Sequence, residues 1–377
     1  MSKDKKSLRC RLIQPISNEK WQPISIPLAA IFISFLAAAV VILLIGKNPL
    51  QAFYNLFQGA GILPKPSYAG YKSMLTDFLS LLNAMTPLIF ASLAVAVAFR
   101  AGLFNIGVSG QMLVSGFLAT IIVGYSGLDA VIAKPLVLVI GIAAGGLMGG
   151  LVGWLKHKFN INEVVSTIML NYMAQYIISF FIQMHYIDPI SRQSQYISDA
   201  ARLTLVNVEM GNLKMDIPLG FLLAIVTAVF IKFVLDKTVV GFELKAVGSN
   251  RKAAKYAGIN VGRNTILAMV ISGGLAGLAG VTYYLGYYAS IQPKVLSDIG
   301  FDSIAVSLLG NSHPIGVIFS SFLVSVIDQG STYMSSQAGI RQEISSVIVG
   351  MILLFSACGG YMKYKISRMK EEKGSEA

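Results

Sequence analysis

Apolar residues along the chain fall in separated, unbroken blocks and show no period-two alternation. The cleanest block, 24–45, contains no charged residue. A helix needs about 20 residues to cross a hydrocarbon layer of about 30 Å. Only a helix or a closed barrel pairs its own backbone there, and continuous runs without alternation favour the helix. Ten blocks are predicted as spans: 24–45, 78–99, 104–125, 131–155, 164–184, 217–235, 264–284, 300–309, 315–327 and 345–361. The expected fold is all-α, a polytopic transmembrane helix bundle of about ten spans. The eighth and ninth blocks are short. Half-helices or a re-entrant hairpin would leave eight or nine full crossings. The first block exceeds the apolar core of a cleavable leader, and the chain continues with Gly46-Lys47-Asn48-Pro49, so it reads as a retained span. The organisation expected is an N-terminal segment 1–23, a membrane domain 24–361 and a tail 362–377.

Composition agrees: 55% of residues are hydrophobic and 13% charged, against about a quarter charged in soluble domains. The formal charge of +12 changes the picture only through its placement. Threading the chain through ten spans puts 21 of the 30 Lys and Arg on the side of both termini. These lie in residues 1–23, at Arg100, at Lys156 and Lys158, in 232–263 and in the tail. The 18 acidic residues divide 8 and 10 and show no such bias. Basic residues mark the cytoplasmic side, so both termini are expected in the cytoplasm, at the cell membrane. The positive charge is topological, and no nucleic acid partner is expected. Cys10 and Cys358 both fall on the cytoplasmic side, where no disulfide framework is indicated. His157, His185 and His313 are too scattered for a metal centre. No phosphate-binding Gly-Lys-Ser/Thr loop or hydrolase motif occurs, so catalytic residues and a cofactor bound by this chain are not expected.

Two outer connections are long, 46–77 and 185–216. The second carries Asp188, Arg192, Asp199, Arg202, Glu209 and Asp216, as a solvated loop or a landing surface would. Glycines recur inside the spans, at Gly141, Gly145, Gly146, Gly149, Gly150 and Gly153, and again at Gly273, Gly274, Gly277 and Gly280. Such small-residue faces let helices approach closely in lipid. Polar residues within spans are costly there and mark either a pathway or helix–helix hydrogen bonds. The candidates for a translocation pathway are Asn83, Asn105, Gln111, Asn171, Gln175 and Asp302. Asn171 and Gln175, four apart, share one helix face. Asp302 reads either as a solvated helix-end residue or as a pathway group. Tyr283, Tyr284, Tyr287 and Tyr288 read as an interfacial belt, with stacking on a nucleobase as the sharper alternative.

The connection 236–263 is charged and punctuated by glycine. Asn250 is a plausible N-cap for a short helix over 251–257, and Gly258 stands at its C-terminal end. Gly hinges would flank it. By composition it is equally an ordinary basic loop or an element on which a soluble motor pushes. The run GFELKAVGSNRKAAKYAGI resembles the coupling segment of ABC importer permeases of the branched-chain amino acid, ribose and nucleoside group. Gly241, Leu244, Ala246, Gly248, Asn250, Ala253, Ala254, Gly258 and Ile259 occupy the pattern's places, with Arg251 beside the cap. The resemblance implies docking on a separate ATP-binding subunit, which would carry ATP and Mg. It also implies a second permease, identical or paralogous, and an extracytoplasmic solute-binding lipoprotein, all in membrane lipid.

The run FRAGLFNIGVSGQMLVSG, 99–116, is similar to a stretch that the nucleoside branch carries. Asn105, Gly107, Gly110 and Gln111 match, and Ser109 stands where that branch has Glu, removing a charge. The run 297–316 also looks like the group's pattern, with Gly300, Phe301, Ile304, Ala305 and Gly310 in place. Its position in the later half suggests an internal repeat pairing spans two to five with seven to ten. The resemblance implies import of nucleosides by a chain that is not itself an enzyme. A ribose-type sugar permease and an ion-coupled transporter are the alternatives.

Overall fold

The computed structural model describes residues 22–341 and 343–357. Cys10, Cys358, the basic N-terminal segment and the tail lie outside the described residues. The helices in chain order are α1 (Gln22–Leu44), α2 (Pro49–Gly59), α3 (Met74–Arg100), α4 (Val108–Ala119), α5 (Ala130–Phe159), α6 (Glu163–Phe181), α7 (Leu219–Lys237), α8 (Val239–Ser249), α9 (Arg251–Tyr256), α10 (Val261–Thr282), α11 (Ile299–Leu309), α12 (Pro314–Ala338) and α13 (Ile344–Ala357). Single π-helical turns extend α4 through Gly124, α6 through Tyr186 and α10 through Tyr287. A helix occurs at each of the ten predicted positions. Among the described residues seven are long and apolar enough to cross a membrane, while Val108–Gly124 and Ile299–Leu309 are shorter apolar helices. The chain is a polytopic helical membrane protein.

Three features differ from expectation. The ninth block is not short: α12 runs 25 residues, well past the predicted end at 327. Asp328 falls inside this helix, where it is exposed. Second, the connection 46–77 contains α2, capped by the Asn48 side chain, which accepts from the Leu50 N–H at 3.0 Å. This helix lies on α12 with backbones nearly touching: a Cβ on Gly330 would sit 2.2 Å from the Leu56 carbonyl oxygen. Third, the connection after α6 holds an antiparallel hairpin, β1 (Thr204–Met210) and β2 (Leu213–Pro218). The turn at 188–191, ahead of the hairpin, is held by side-chain hydrogen bonds. Asp188 accepts from the Ser191 hydroxyl at 2.7 Å and from the N–H groups of Ile190 and Ser191. These bonds, the hydroxyl first, hold its pKa below the usual carboxylate value.

The core crossing is between α5 and α10, which run antiparallel. Gly141 meets Gly277 and Val281, Gly145 meets Gly273, Gly149 meets Met269, and Gly153 meets Ile266. The spacing of four keeps these glycines on one face. A Cβ on Gly277 would lie 1.9 Å from the Gly141 carbonyl oxygen. Gly280 belongs to a different contact, against Met112 of α4, and Gly146 and Gly150 face Val270 of α10 less closely. Burial is therefore uneven: α3 and α10 are largely enclosed, whereas α1 and α7 keep most of their surface outside.

Overpacking a close contact costs about 1–3 kcal/mol or more. Gly277→Val is expected to abolish monodisperse protein on size-exclusion chromatography, while Gly127→Ala, with nothing within 4 Å of the added carbon, leaves the profile unchanged. A normal profile for the Gly277 variant would contradict the crossing described.

Candidate functional site

Between α3 and α4 the helix is interrupted. Residues 101–107 run without regular structure from the basic end of the bundle, marked by Arg100, Lys156 and Arg251, into its interior. Such a segment frees backbone groups that lipid cannot satisfy, so it must be lined by protein donors and acceptors. Asn105 supplies several. Its Oδ1 accepts from the Gly107 N–H at 2.9 Å, and its Nδ2 donates to Gln111 Oε1 at 3.0 Å and Ser272 Oγ at 2.9 Å. The Ser272 hydroxyl donates in turn to the Ala94 carbonyl at 2.7 Å. Asn171 of α6 closes the other side: its Oδ1 accepts from the Gly110 N–H and its Nδ2 donates to the Ile106 carbonyl, both at 3.0 Å. Three pathway candidates thus meet at one break, and all three are buried.

The second interruption follows α10. Residues 288–298 have no helix, and α11 then begins. The first turns of α4 and α11 abut: the Ser109 hydroxyl donates to the Ser297 carbonyl at 2.8 Å, and a Cβ on Gly300 would lie 2.0 Å from Ser109 Oγ. Two helix starts, from opposite halves of the sequence, meet there. These two runs correspond in the sequence, where Ser109 stands without an evident reason. Its small side chain fits against Gly300, where a longer one would collide.

The remaining candidates lie elsewhere. Asn83 accepts the Thr204 hydroxyl at 3.0 Å, beside the hairpin. Gln175, half-buried, donates to the Lys294 carbonyl at 2.6 Å in the second interruption. Asp302, also half-buried, stands near enough to Asp298 and Asp328 for the three carboxylates to interact electrostatically. Tyr287 also lies within electrostatic range of Asp328. It stacks with Tyr283 at 6.4 Å between centroids, and Tyr288 meets both rings edge-on. Asp328 and Tyr287 form this cluster with Asp302; Asp302 and the tyrosines had a sequence signal, and Asp328 had none.

At the basic end, two helices and not one form the 236–263 connection. Thr238 Oγ1 caps α8 by accepting from the Gly241 N–H at 3.2 Å. Gly241 packs on the Val234 carbonyl, where a Cβ would lie 2.3 Å away, and so permits the sharp turn out of α7. Leu244 is buried. Gly248 touches the backbone of Arg100 and Gly102, and is a contact inside α8 rather than the expected hinge. Ala246 lies half-buried on the same helix. The expected cap is present: Asn250 Oδ1 accepts from the N–H groups of Lys252 and Ala253 at 3.0 and 3.1 Å. Gly258 has φ +82° and ends α9. The Ile259 N–H donates back to the Ala254 carbonyl at 3.0 Å. Ala254 is buried, whereas Arg251, Ala253, Lys252, Lys255 and Tyr256 are exposed, Tyr256 by 93%. The spacing noted in the sequence therefore records mostly inward packing and caps, while Tyr256 and the lysines present the outer face.

The sequence matches the family described as "Branched-chain amino acid transport system / permease component" over residues 78–357. It is 36% identical over 370 residues to the nucleoside ABC transporter permease protein NupB of Lactococcus lactis subsp. cremoris, covering 96% of this chain and 98% of the relative. The guanosine ABC transporter permease protein NupP of Bacillus subtilis is 35% identical over 350 residues, 92% of this chain and 97% of its own. A second Lactococcus lactis relative, the nucleoside ABC transporter permease protein NupC, is 28% identical over 268 residues, 70% of this chain and 84% of its own.

Removing Asn171 strands the Gly110 N–H and the Ile106 carbonyl, and a buried unpaired group costs about 1–3 kcal/mol. Asn171→Ala is expected to lower the thermal unfolding midpoint in detergent clearly, and Gln175→Ala, whose site is half-exposed, much less. Equal shifts would show that the break does not depend on Asn171.

Proposed function

Because the chain belongs to the branched-chain amino acid transport permease family, we propose that it is the membrane-spanning permease subunit of an ABC importer for nucleosides. The single observation carrying this reading is the likeness, over nearly the full length of both chains, to the nucleoside and guanosine permeases. It is a transport component and not an enzyme. The placement of Lys and Arg supports cytoplasmic termini and a cytoplasmic basic end. Residues 24–361 form the permease domain, with 236–263 as its coupling loop.

In this mechanism a separate ATP-binding subunit, carrying ATP and Mg, grips α9 through its exposed face. Gly241, Leu244, Ala246, Gly248 and Ala254 seat the segment on the bundle, Asn250 and Gly258 cap it, and Arg251, Ala253 and Ile259 border the partner. Both ends of the segment lead to the same place. Gly248 lies on Gly102, where the α3–α4 interruption begins, and Arg251 Nη2 donates to the Gly102 carbonyl at 3.4 Å. Ile259 leads directly into α10, whose Ser272 holds Asn105 of that interruption. A pull on α9 therefore moves both walls of the break. The meeting of α4 and α11 supports an internal repeat about a ten-span bundle. A solute path passes between these helix starts, past Gln175 and the Asp302, Asp328 and Tyr287 cluster, with Asn105, Gln111 and Asn171 as its rigid wall and Asn83 nearer the hairpin. The hairpin and α2 receive a solute-binding lipoprotein. The paired Lactococcus lactis relatives support a paralogous second permease.

Left-handed backbone costs an L-residue about 1–2 kcal/mol, near a tenfold change in population. Gly258→Val and deletion of 251–257 are each expected to reduce labelled guanosine uptake at least tenfold, with membrane insertion intact. Unlabelled nucleosides should compete, and ribose and free bases should not. Undiminished uptake in both variants would overturn the coupling role. Competition by ribose would move the substrate to simple sugars.

A further inference from the structure

A cleft of about 450 Å³ opens at the basic end, between the last turn of α5 and the first turns of α10. It is lined by the polar residues His157, Asn260 and Arg263 and by the apolar residues Ile266, Leu267 and Val270. Positions 263, 266, 267 and 270 share one face of α10, and Val270 is exposed on the outside of the bundle. The imidazole of His157 lies against Gly262, where a Cβ would come within 2.1 Å of the ring. Asn260 is already used, accepting from the Arg263 N–H at 3.0 Å.

The neighbouring charges leave Arg263 in surplus. Glu163 pairs with Lys156, and Glu243 accepts from Asn264 at 2.8 Å. Among the described residues no carboxylate lies within ion-pair reach of Arg263. The depth of the cleft is marked independently. Lys158 sits over the rings of Trp154 and Phe159, at 5.2 and 5.5 Å, and both rings are exposed. Aromatic rings with a cation at a helix end mark the head-group level. The cleft is thus cationic at head-group depth and apolar below it.

We infer that this cleft binds an anionic phospholipid, its phosphate against Arg263 and His157 and one acyl chain along Ile266, Leu267 and Val270. The lipid clamps α5 to α10 at the turn where the segment 241–259 enters α10.

The test uses the assembled complex in nanodiscs of phosphatidylcholine with or without phosphatidylglycerol, reading lipid retained after a detergent wash by mass spectrometry. The parent is expected to retain phosphatidylglycerol over phosphatidylcholine. Arg263→Gln should lower that retention about fivefold, Arg263→Lys should keep most of it, and Lys214→Gln at the far end should change nothing. Equal retention by Arg263→Gln and the parent would overturn the site. If Arg263→Gln does not assemble, a parent that fails to prefer phosphatidylglycerol overturns it. Displacement of the retained lipid by millimolar inorganic phosphate would do the same, pointing to a soluble anion. Lipid retention is read without transport, so its failure is separate from failure of the importer reading.

Discussion

The structure depends on finding partners for a stretch of backbone that is not helical and lies inside a membrane-spanning bundle. Residues 101–107 expose peptide groups where water is excluded, and each group left alone would cost several kcal/mol. Asn105 and Asn171 answer this with amide side chains, which donate and accept at once. Their satisfaction fixes α3, α4, α6 and α10 around one point. The amides that mark this chain as unusually polar for its depth thus give it a definite interior.

Close packing of α5 on α10 makes that arrangement stiff. Carbonyl oxygens of one helix face the glycines of the other, leaving no side chain to cushion a shift. Lipid offers no hydrophobic drive for association, so contact at this range supplies the packing attraction instead. The surface helix α9 is anchored to this rigid core at both ends. In the proposed mechanism a displacement of α9 would reach the α3–α4 break through these contacts. That property suits the coupling role proposed for 241–259.

Much of this was legible in the sequence because the bilayer imposes a simple length and polarity rule. The spans at 24–45 and 131–155 read almost directly as α1 and α5. The cap at Asn250 and the turn at Gly258 also read correctly, since both are local chemistry. What did not read were long-range consequences. The ninth block was expected to end at 327, yet α12 runs on through Asp328, which is exposed. The helix α2 was missed because its buried face is made for α12 and not for lipid. Gly248 read as a hinge because its reason, the backbone of Gly102, is distant in sequence. Asn105, Gln111 and Asn171 were recognised as important, but only the structure shows their polar atoms engaged with the chain itself.

The chain is a permease subunit of a nucleoside ABC importer, and the energetic source of transport is the point on which the coupling mechanism turns. The most direct measurement is accumulation of labelled guanosine in proteoliposomes holding this chain with the proposed second permease, ATP-binding subunit and binding protein. ATP-driven import predicts accumulation above the outside concentration with ATP and Mg, and none with a proton or sodium gradient alone. Accumulation driven by an ion gradient without ATP, or by the chain without any ATP-binding subunit, would contradict it.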